Sequence, residues 1–296
     1  MSKSFVHLHA HTEYSMLDGA AKINDYLKKV KDLNQPAAAI TDHGNLYGAL
    51  EFVRQAESLD IKPIIGYEAY ITPGSRFDRP DRDKNKRYHL TLLAENNIGY
   101  QNLVELVSKA YLEGFYYKPR VDYELLREHS KGIIALSGCL GGEVAQHLAP
   151  DGSTEEGNTA NEKSFEKALE KAKIYQDIFG KDNFFIELHN HGIPQQIEIL
   201  DDLVKISREL QAPLVAANDS HYVAKTDSSA HDALLCVQTN ATMEDENRFK
   251  FDGEEFYVKS SEEMWTLFPE DRFPDACINT LKIADRVHYE FDFDQD

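Results

Sequence analysis

Short, almost unbroken apolar runs alternate along this chain with longer stretches in which apolar residues recur every three to four positions. The apolar runs fall at 5–9, 37–41, 63–68, 89–94, 132–137, 184–188 and 214–217. Such runs predict strands buried on both faces, as in a parallel sheet. The periodic stretches predict helices over 23–33, 47–59, 99–113, 161–179 and 195–210, the second opened by Gly44 and Asn45. Seven strands with helical crossovers predict an α/β fold, closed into a barrel rather than left as an open doubly wound sheet. From about residue 225 the pattern turns helical, over 228–238, 261–268 and 275–287, with a β-like piece at 255–258. Ser260 and Glu263 form a capping-box signature ahead of the middle helix. The chain therefore divides into a barrel, 1–224, and a mainly helical extension packed on it, 225–296. DGSTEEGNTA at 151–160 is expected to be a mobile loop, and the acidic tail FDFDQD to fray.

Composition narrows the picture. A chain of 296 residues, 42% hydrophobic, can bury a core of this size. No apolar run is long enough to span a bilayer. MSKSFVHLHAH carries no secretory signal, and Cys139, Cys236 and Cys277 lie far apart, so a reducing cytoplasm is expected, with no disulfide framework and no membrane partner. A net charge of −19 excludes a protein that grips duplex DNA with its whole surface. Any nucleic acid is held locally, or by other parts of a larger assembly.

The strand endings carry the candidate chemistry, because functional groups of an α/β barrel gather at the C-terminal ends of its strands. The first ends in HLHAH, where His9 and His11 share one side of an extended backbone and His7 has the same parity; TEYSMLDG follows, from which Asp18 can swing back. The second ends in ITDHG with Asp42 and His43, the third in IIGYE with Glu68, the fifth in ALSGC with Cys139, and the seventh in AANDSH with Asp219 and His221. The sixth ends in ELHNHG, offering Glu187, His189 and His191 as spare ligands or substrate contacts. His89 precedes its strand, which on spacing alone puts it at the wrong rim. Imidazole with thiolate suits zinc, iron or manganese better than magnesium alone. Asp18, Glu68, Asp219 and a Cys139 thiolate would bring four negative charges, which two divalent ions neutralise and three exceed by two. Glu68, the longest of the three carboxylates, is best placed to bridge ions.

HLHAHTEYSMLDG, ITDHG, GYEAY and NDSH resemble the PHP (polymerase and histidinol phosphatase) family. ITDHGNLYGALEF, HLTLLAENNIGYQNLVELVSKA and LSGCLGGEV resemble more narrowly the N-terminal PHP domains of bacterial replicative DNA polymerase III alpha subunits, and NRFKFDGEEFYVKSSEEM the segment leading from that domain towards the palm. The resemblance implies a distorted seven-stranded (β/α)7 barrel with two or three divalent ions, zinc first and manganese or iron as alternatives. The implied ligands are His9, His11, Asp18, His43, Glu68, His89, Cys139, Asp219 and His221, so His89 joins the set. It further implies a metal-dependent 3′–5′ exonuclease that proofreads by metal-activated water, within a parent DNA-directed polymerase whose synthetic site lies elsewhere. Implied partners are a single-stranded or primer-template DNA 3′ end, the remainder of the alpha subunit, the proofreading subunit and the sliding clamp. Two rival readings are a non-catalytic, metal-stabilised scaffold and a stand-alone small-molecule phosphoesterase. Grip on DNA is expected from Arg76, Arg79, Arg82, Lys84, Lys86 and Arg87, a loop of net charge +3 once Asp78, Asp81 and Asp83 are counted, with a solvated loop as the competing reading. Asp42, Glu187 or His191 would orient ligands. Tyr14, Tyr116 and Tyr117 would stack on bases, with core packing as the alternative.

Overall fold

The computed structural model describes residues 3–16, 18–81, 84–150 and 163–290. The 151–160 loop, the first residues of the helix expected from 161, Arg82 and the FDFDQD tail lie outside the described residues. The strands are β1 (Ala37–Ile40), β2 (Lys62–Ile71), β3 (Tyr88–Ala94), β4 (Arg120–Val121), β5 (Ile133–Leu136), β6 (Phe184–Leu188) and β7 (Leu214–Ala216). Hydrogen bonding follows the order β1-β2-β3-β5-β6-β7, with the two-residue β4 beside the far end of β2. β1 and β2 run parallel, with Ala39 opposite Ile64, and so do β5, β6 and β7.

β3 corrects the all-parallel expectation. It is antiparallel to both β2 and β5, with His89 opposite Tyr70. Among the described residues between β2 and β3 there is no α-helical crossover to turn the chain back to the opposite rim. The start of β3 thus shares a rim with the C-terminal ends of its neighbours. That reversal carries His89 to the site. Gly66 allows the tight β2–β3 approach, since a Cβ there would lie 2.3 Å from the Leu92 carbonyl oxygen.

The expected first strand is a bridging segment rather than a full ladder. His7 bridges to Ala38 and Ala10 to Ser220, closing the ring between β1 and the turn after β7. Ala39 N–H donates to the His7 carbonyl and Thr41 N–H to the Ala10 carbonyl, both at 2.9 Å, so two residues of β1 match three of the segment. The extra residue is a bulge. It separates His9 and His11 from His7, whose shared parity the alternation rule had assumed. His7 remains on the outer side, edge-on to Phe5 and with Nε2 2.9 Å from the Lys259 carbonyl. It is not part of the cluster.

The core follows from the same alternation. Val6, Leu8, Ala39, Ile64, Leu136 and Val215 fill the barrel interior, and Ile283, Ala284 and Val287, on and just beyond α10 (Ile278–Arg286), pack against them. Outside β1, Ala38 and Ile40 pack against Ile23 and Leu27 of α1 (Ile23–Asp32) and Phe52 of α2 (Ala49–Ser58). Helices α3 (Asn97–Leu112), α4 (Tyr123–Glu128), α5 (Glu143–Leu148), α6 (Phe165–Phe179) and α7 (Pro194–Leu210) cover the rest of the sheet, followed by α8 (Ser228–Thr239) and α9 (Ser261–Leu267). Asn96, Asp122 and Ser164 cap α3, α4 and α6 by accepting backbone N–H bonds. Ser260 and Glu263 make the reciprocal box at α9. The β-like 255–258 piece reduces to one bridge, Tyr222 to Tyr257. α4, α5 and β4 escaped the pattern because they are short.

Candidate metal centre

The rim of the barrel gathers all nine candidate ligands. His9 Nε2 lies 3.3 Å from both Glu68 Oε1 and Asp219 Oδ1. His11 Nε2 is 3.1 Å from Asp219 Oδ1 and 3.6 Å from Glu68 Oε2. His43 Nε2 meets Asp18 Oδ2 at 2.6 Å, and its Nδ1 approaches Glu68 Oε2 at 2.6 Å. His89 Nδ1 is 3.1 Å from Glu68 Oε1 and 3.8 Å from Cys139 Sγ. His221 Nε2 is 3.4 Å from Asp18 Oδ2. Glu68 thus touches four imidazoles and is central to the cluster. Asp219 reaches its position on a left-handed backbone (φ 45°), a conformation that costs about 1–3 kcal/mol outside glycine and is typical of functional turns.

A second tier holds these groups in place. Glu187 Oε1 meets His9 Nδ1 at 2.7 Å and His189 Nε2 at 3.0 Å, while its other oxygen accepts the Gly138 N–H at 2.9 Å. Ser15 Oγ joins His11 Nδ1 (2.8 Å) to Asp42 Oδ1 (2.7 Å), and Asp42 also accepts from the Thr12 N–H and hydroxyl. His231 Nε2 donates to the Asp18 carbonyl at 2.7 Å. Ser15 and His231 had no signal in strand-end reasoning. One lies in a turn, the other in the extension.

Electrostatics bind the cluster together. Burial alone would lower the basicity of His9, yet the carboxylates of Asp219, Glu187 and Glu68 outweigh it and raise its pKa well above the usual imidazole value. Glu68 is buried, which pushes it up, but His89, His43 and His9 hold it well below the ordinary carboxylate range. His11 is pulled down to about 3 by burial and by His43 and His221. Burial, then Glu68 and Asp219, push the Cys139 thiol up, so it becomes a thiolate only beside a cation.

The donor atoms fit metal ions. Nε2 of His9, His11 and His89, Nδ1 of His43, Oδ1 of Asp18 and Asp219, and Oε2 of Glu68 are buried with no aligned hydrogen-bond partner. Buried polar atoms in native proteins are overwhelmingly paired. Ligand atoms lie within 4.8 Å of one another in the overlapping triads His9-His11-Asp219, His11-His43-His221 and His43-Glu68-His89. Overlap of triads suits several ions, and the nitrogen–oxygen–sulfur donor set suits transition metals.

The family model of the PHP domain matches residues 7–191. The chain belongs to the PHP family. It is 49% identical over 288 residues to the DNA polymerase III subunit alpha of Thermus aquaticus, covering 95% of this chain and 22% of that protein. It is 48% identical over 297 residues to that of Deinococcus radiodurans (97% and 21%) and 47% over 298 residues to that of Mycobacterium tuberculosis (96% and 24%). The PHP chain therefore spans less than a quarter of the length of these relatives. Among solved structures it is similar to a two-domain protein from Bacteroides vulgatus containing a predicted PHP-like metal-dependent phosphoesterase, at 14% identity and a TM-score of 0.45, covering 96% of this chain and 69% of that one. No helix among the described residues is long and apolar enough to cross a membrane.

The PHP site opens into a cleft of about 820 Å³. Asp18, His43, Glu68, His89, Asp219 and His221 form its floor, and Phe249, Lys250 and Phe251 of the extension form one wall. Lys250 is exposed and was not among the candidates, since a lone lysine in a loop carries no sequence signal. Several expected substrate contacts are engaged elsewhere. Arg76 is buried, with Nε 2.7 Å from Glu113 and Nη1 3.1 Å from Asp122, and cannot reach a ligand without breaking both pairs. Arg79 is exposed, but its guanidinium donates to the carbonyls of Arg76, Asp78 and Glu113. Lys84 is exposed and pairs with Asp81 at 3.2 Å, and Lys86 and Arg87 are half-buried. His191 is corrected outright. Its ring is buried, bonded to Gln196 and the Asn218 carbonyl, and stacked 3.9 Å from Phe256. Tyr116 is likewise fixed, its hydroxyl on the Pro80 carbonyl and the Arg120 guanidinium over its ring. Tyr14 donates to Glu51 at 2.8 Å.

Proposed function

We propose that His9, His11, Asp18, His43, Glu68, His89, Cys139, Asp219 and His221 hold two or three divalent ions, zinc first, and that the chain hydrolyses the terminal phosphodiester of a DNA 3′ end. The convergence of buried, unpartnered ligand atoms at the floor of an open cleft carries this reading. Bound ions would supply Lewis acidity, a nucleophile at neutral pH and charge neutralisation at phosphorus. The chain's own residues do the rest. Glu187 and the Ser15–Asp42 pair fix the tautomers and ring angles of His9 and His11. Lys250 meets the charge of the entering phosphate, and Phe249 and Phe251 limit water in the cleft. A purely structural metal site is closed in coordination. This one lines the floor of a cleft open to solvent, which supports catalysis over the scaffold reading. The relatives' greater length supports the remainder of a polymerase III alpha subunit as the natural neighbour, with the proofreading subunit and clamp as further partners.

The test is release of nucleotide from a 3′-labelled single strand with added zinc or manganese. The wild type is expected to cleave, and an Asp219→Ala, His221→Ala double variant to lose activity. Equal, slow release from both would sink the nuclease reading. Lys250→Ala is expected to raise KM for DNA without lowering the melting temperature.

A further inference from the structure

Beside the metal centre lies a second cleft, about 610 Å³, that shares Asp18 and His43 with it. Its walls are aromatic. Tyr47 is 62%, Phe115 51% and Tyr117 58% exposed. Tyr111 stacks on Phe115 with ring centroids 6.0 Å apart. Tyr70 forms the connection, its ring stacked 6.0 Å from the His43 imidazole and its hydroxyl 3.2 Å from Lys118 Nζ. Gly44 makes the junction possible, since a Cβ there would lie 2.9 Å from Pro119 and 3.0 Å from Tyr70.

So many exposed rings in one place run against the hydrophobic effect, and such a patch marks a binding surface. Tyr117 adds to this, since it holds an exposed ring on a left-handed backbone (φ 63°) that a glycine would adopt more readily. Rings over a cleft with a lysine at its inner end match the chemistry of unpaired nucleobases on a phosphate backbone: π-faces for any base, a cation for the phosphate. Continuity with the metal floor gives polarity, with the scissile phosphate over Asp18 and His43 and the preceding bases running outward over the rings. The patch also suits a chain of net charge −19, because stacking attracts a strand that the overall field repels.

We propose that this aromatic cleft binds the bases of a single strand next to the terminal phosphodiester, without sequence preference. The proposal rests on the hydrolase reading for its substrate class, but its test does not. Fluorescence anisotropy on the metal-loaded protein compares a labelled oligothymidylate with an abasic oligonucleotide of equal length, both with cleavage-resistant phosphorothioate linkages at the 3′ end. The wild type is expected to favour the oligothymidylate. A Phe115→Ala, Tyr117→Ala double variant is expected to bind it roughly tenfold more weakly, the loss of about one stacked base, and to bind the abasic strand as the wild type does. Tyr117→Gly removes the ring while relaxing the backbone, and a melting temperature equal to that of the wild type separates its loss of binding from unfolding; Tyr117→Trp retains binding. If the double variant binds oligothymidylate as tightly as the wild type, or loses both strands equally, the proposal is overturned. Because binding is measured on strands that resist cleavage, failed hydrolysis leaves this result intact, and the converse holds.

Discussion

Removing metal from the centre is expected to lower thermal stability by a calculable amount. Chelation strands the buried atoms of His9, His11, His89, His43, Asp18, Asp219 and Glu68 that have no other hydrogen-bond partner. Each unpaired buried polar atom costs about 1–3 kcal/mol. The close imidazole–carboxylate pairs around Glu68 recover part of that, so the sum of atoms is an upper bound. Mass action gives the usable figure: an ion present at about 100 times its dissociation constant contributes about 2.7 kcal/mol, hence two ions about 5 kcal/mol. At about 2–4 °C per kcal/mol for a chain of this size, the melting temperature should drop by about 10–20 °C. The assay is a circular-dichroism melt before and after EDTA and desalting, with metal content measured by elemental analysis. A sample carrying two or more ions per chain whose midpoint moves by less than about 3 °C on chelation would refute the reasoning.

Glu187→Gln keeps the shape but removes the charge facing His9 and His189, and is expected to weaken metal affinity about 10- to 100-fold, read by competition with a chromogenic chelator. Arg76→Ala leaves Asp122 buried without its counter-charge while Glu113 remains partly solvated, so urea unfolding should show a loss of about 2–4 kcal/mol with little change in metal content. Burial holds the His7 imidazole neutral down to about 4, against 6.5 in the unfolded chain. Between those values the unfolded state takes up a proton that the native state refuses, so stability falls as pH drops, by up to about 1.4 kcal/mol per unit. His7→Asn should flatten that slope by about one proton between pH 6 and 5 in denaturation measured at both pH values.

Much of the barrel was legible in the sequence because its strands are buried on both faces and its helices are amphipathic, which are local signals. Ala37–Ile40, Phe184–Leu188 and Leu214–Ala216 needed nothing more. The candidate ligands His43, Asp219 and His221 followed from one rule about where barrels keep their chemistry, and so did Glu68, although β2 continues past it to Ile71. The spacing rule misplaced His89, because a strand's direction is a pairing property and β3 runs against its neighbours. It gave His7 the same parity as the chosen pair His9 and His11, because a bulge, which shifts the alternation by one residue, is visible only in hydrogen bonds to β1.

The basic loop 76–87 shows the same limit from the other side. Its composition was plain, but whether Arg76 faces solvent or Asp122 depends on a helix that begins more than forty residues later. Lys250 and the Tyr47–Phe115–Tyr117 cleft likewise join segments distant in the chain. Local periodicity determined most of the longer elements and supplied the candidate ligand types, because both depend on neighbouring residues. Which side chains became paired, stranded or exposed was decided by tertiary structure alone, because burial and electrostatic partnership are properties of contacts between remote segments.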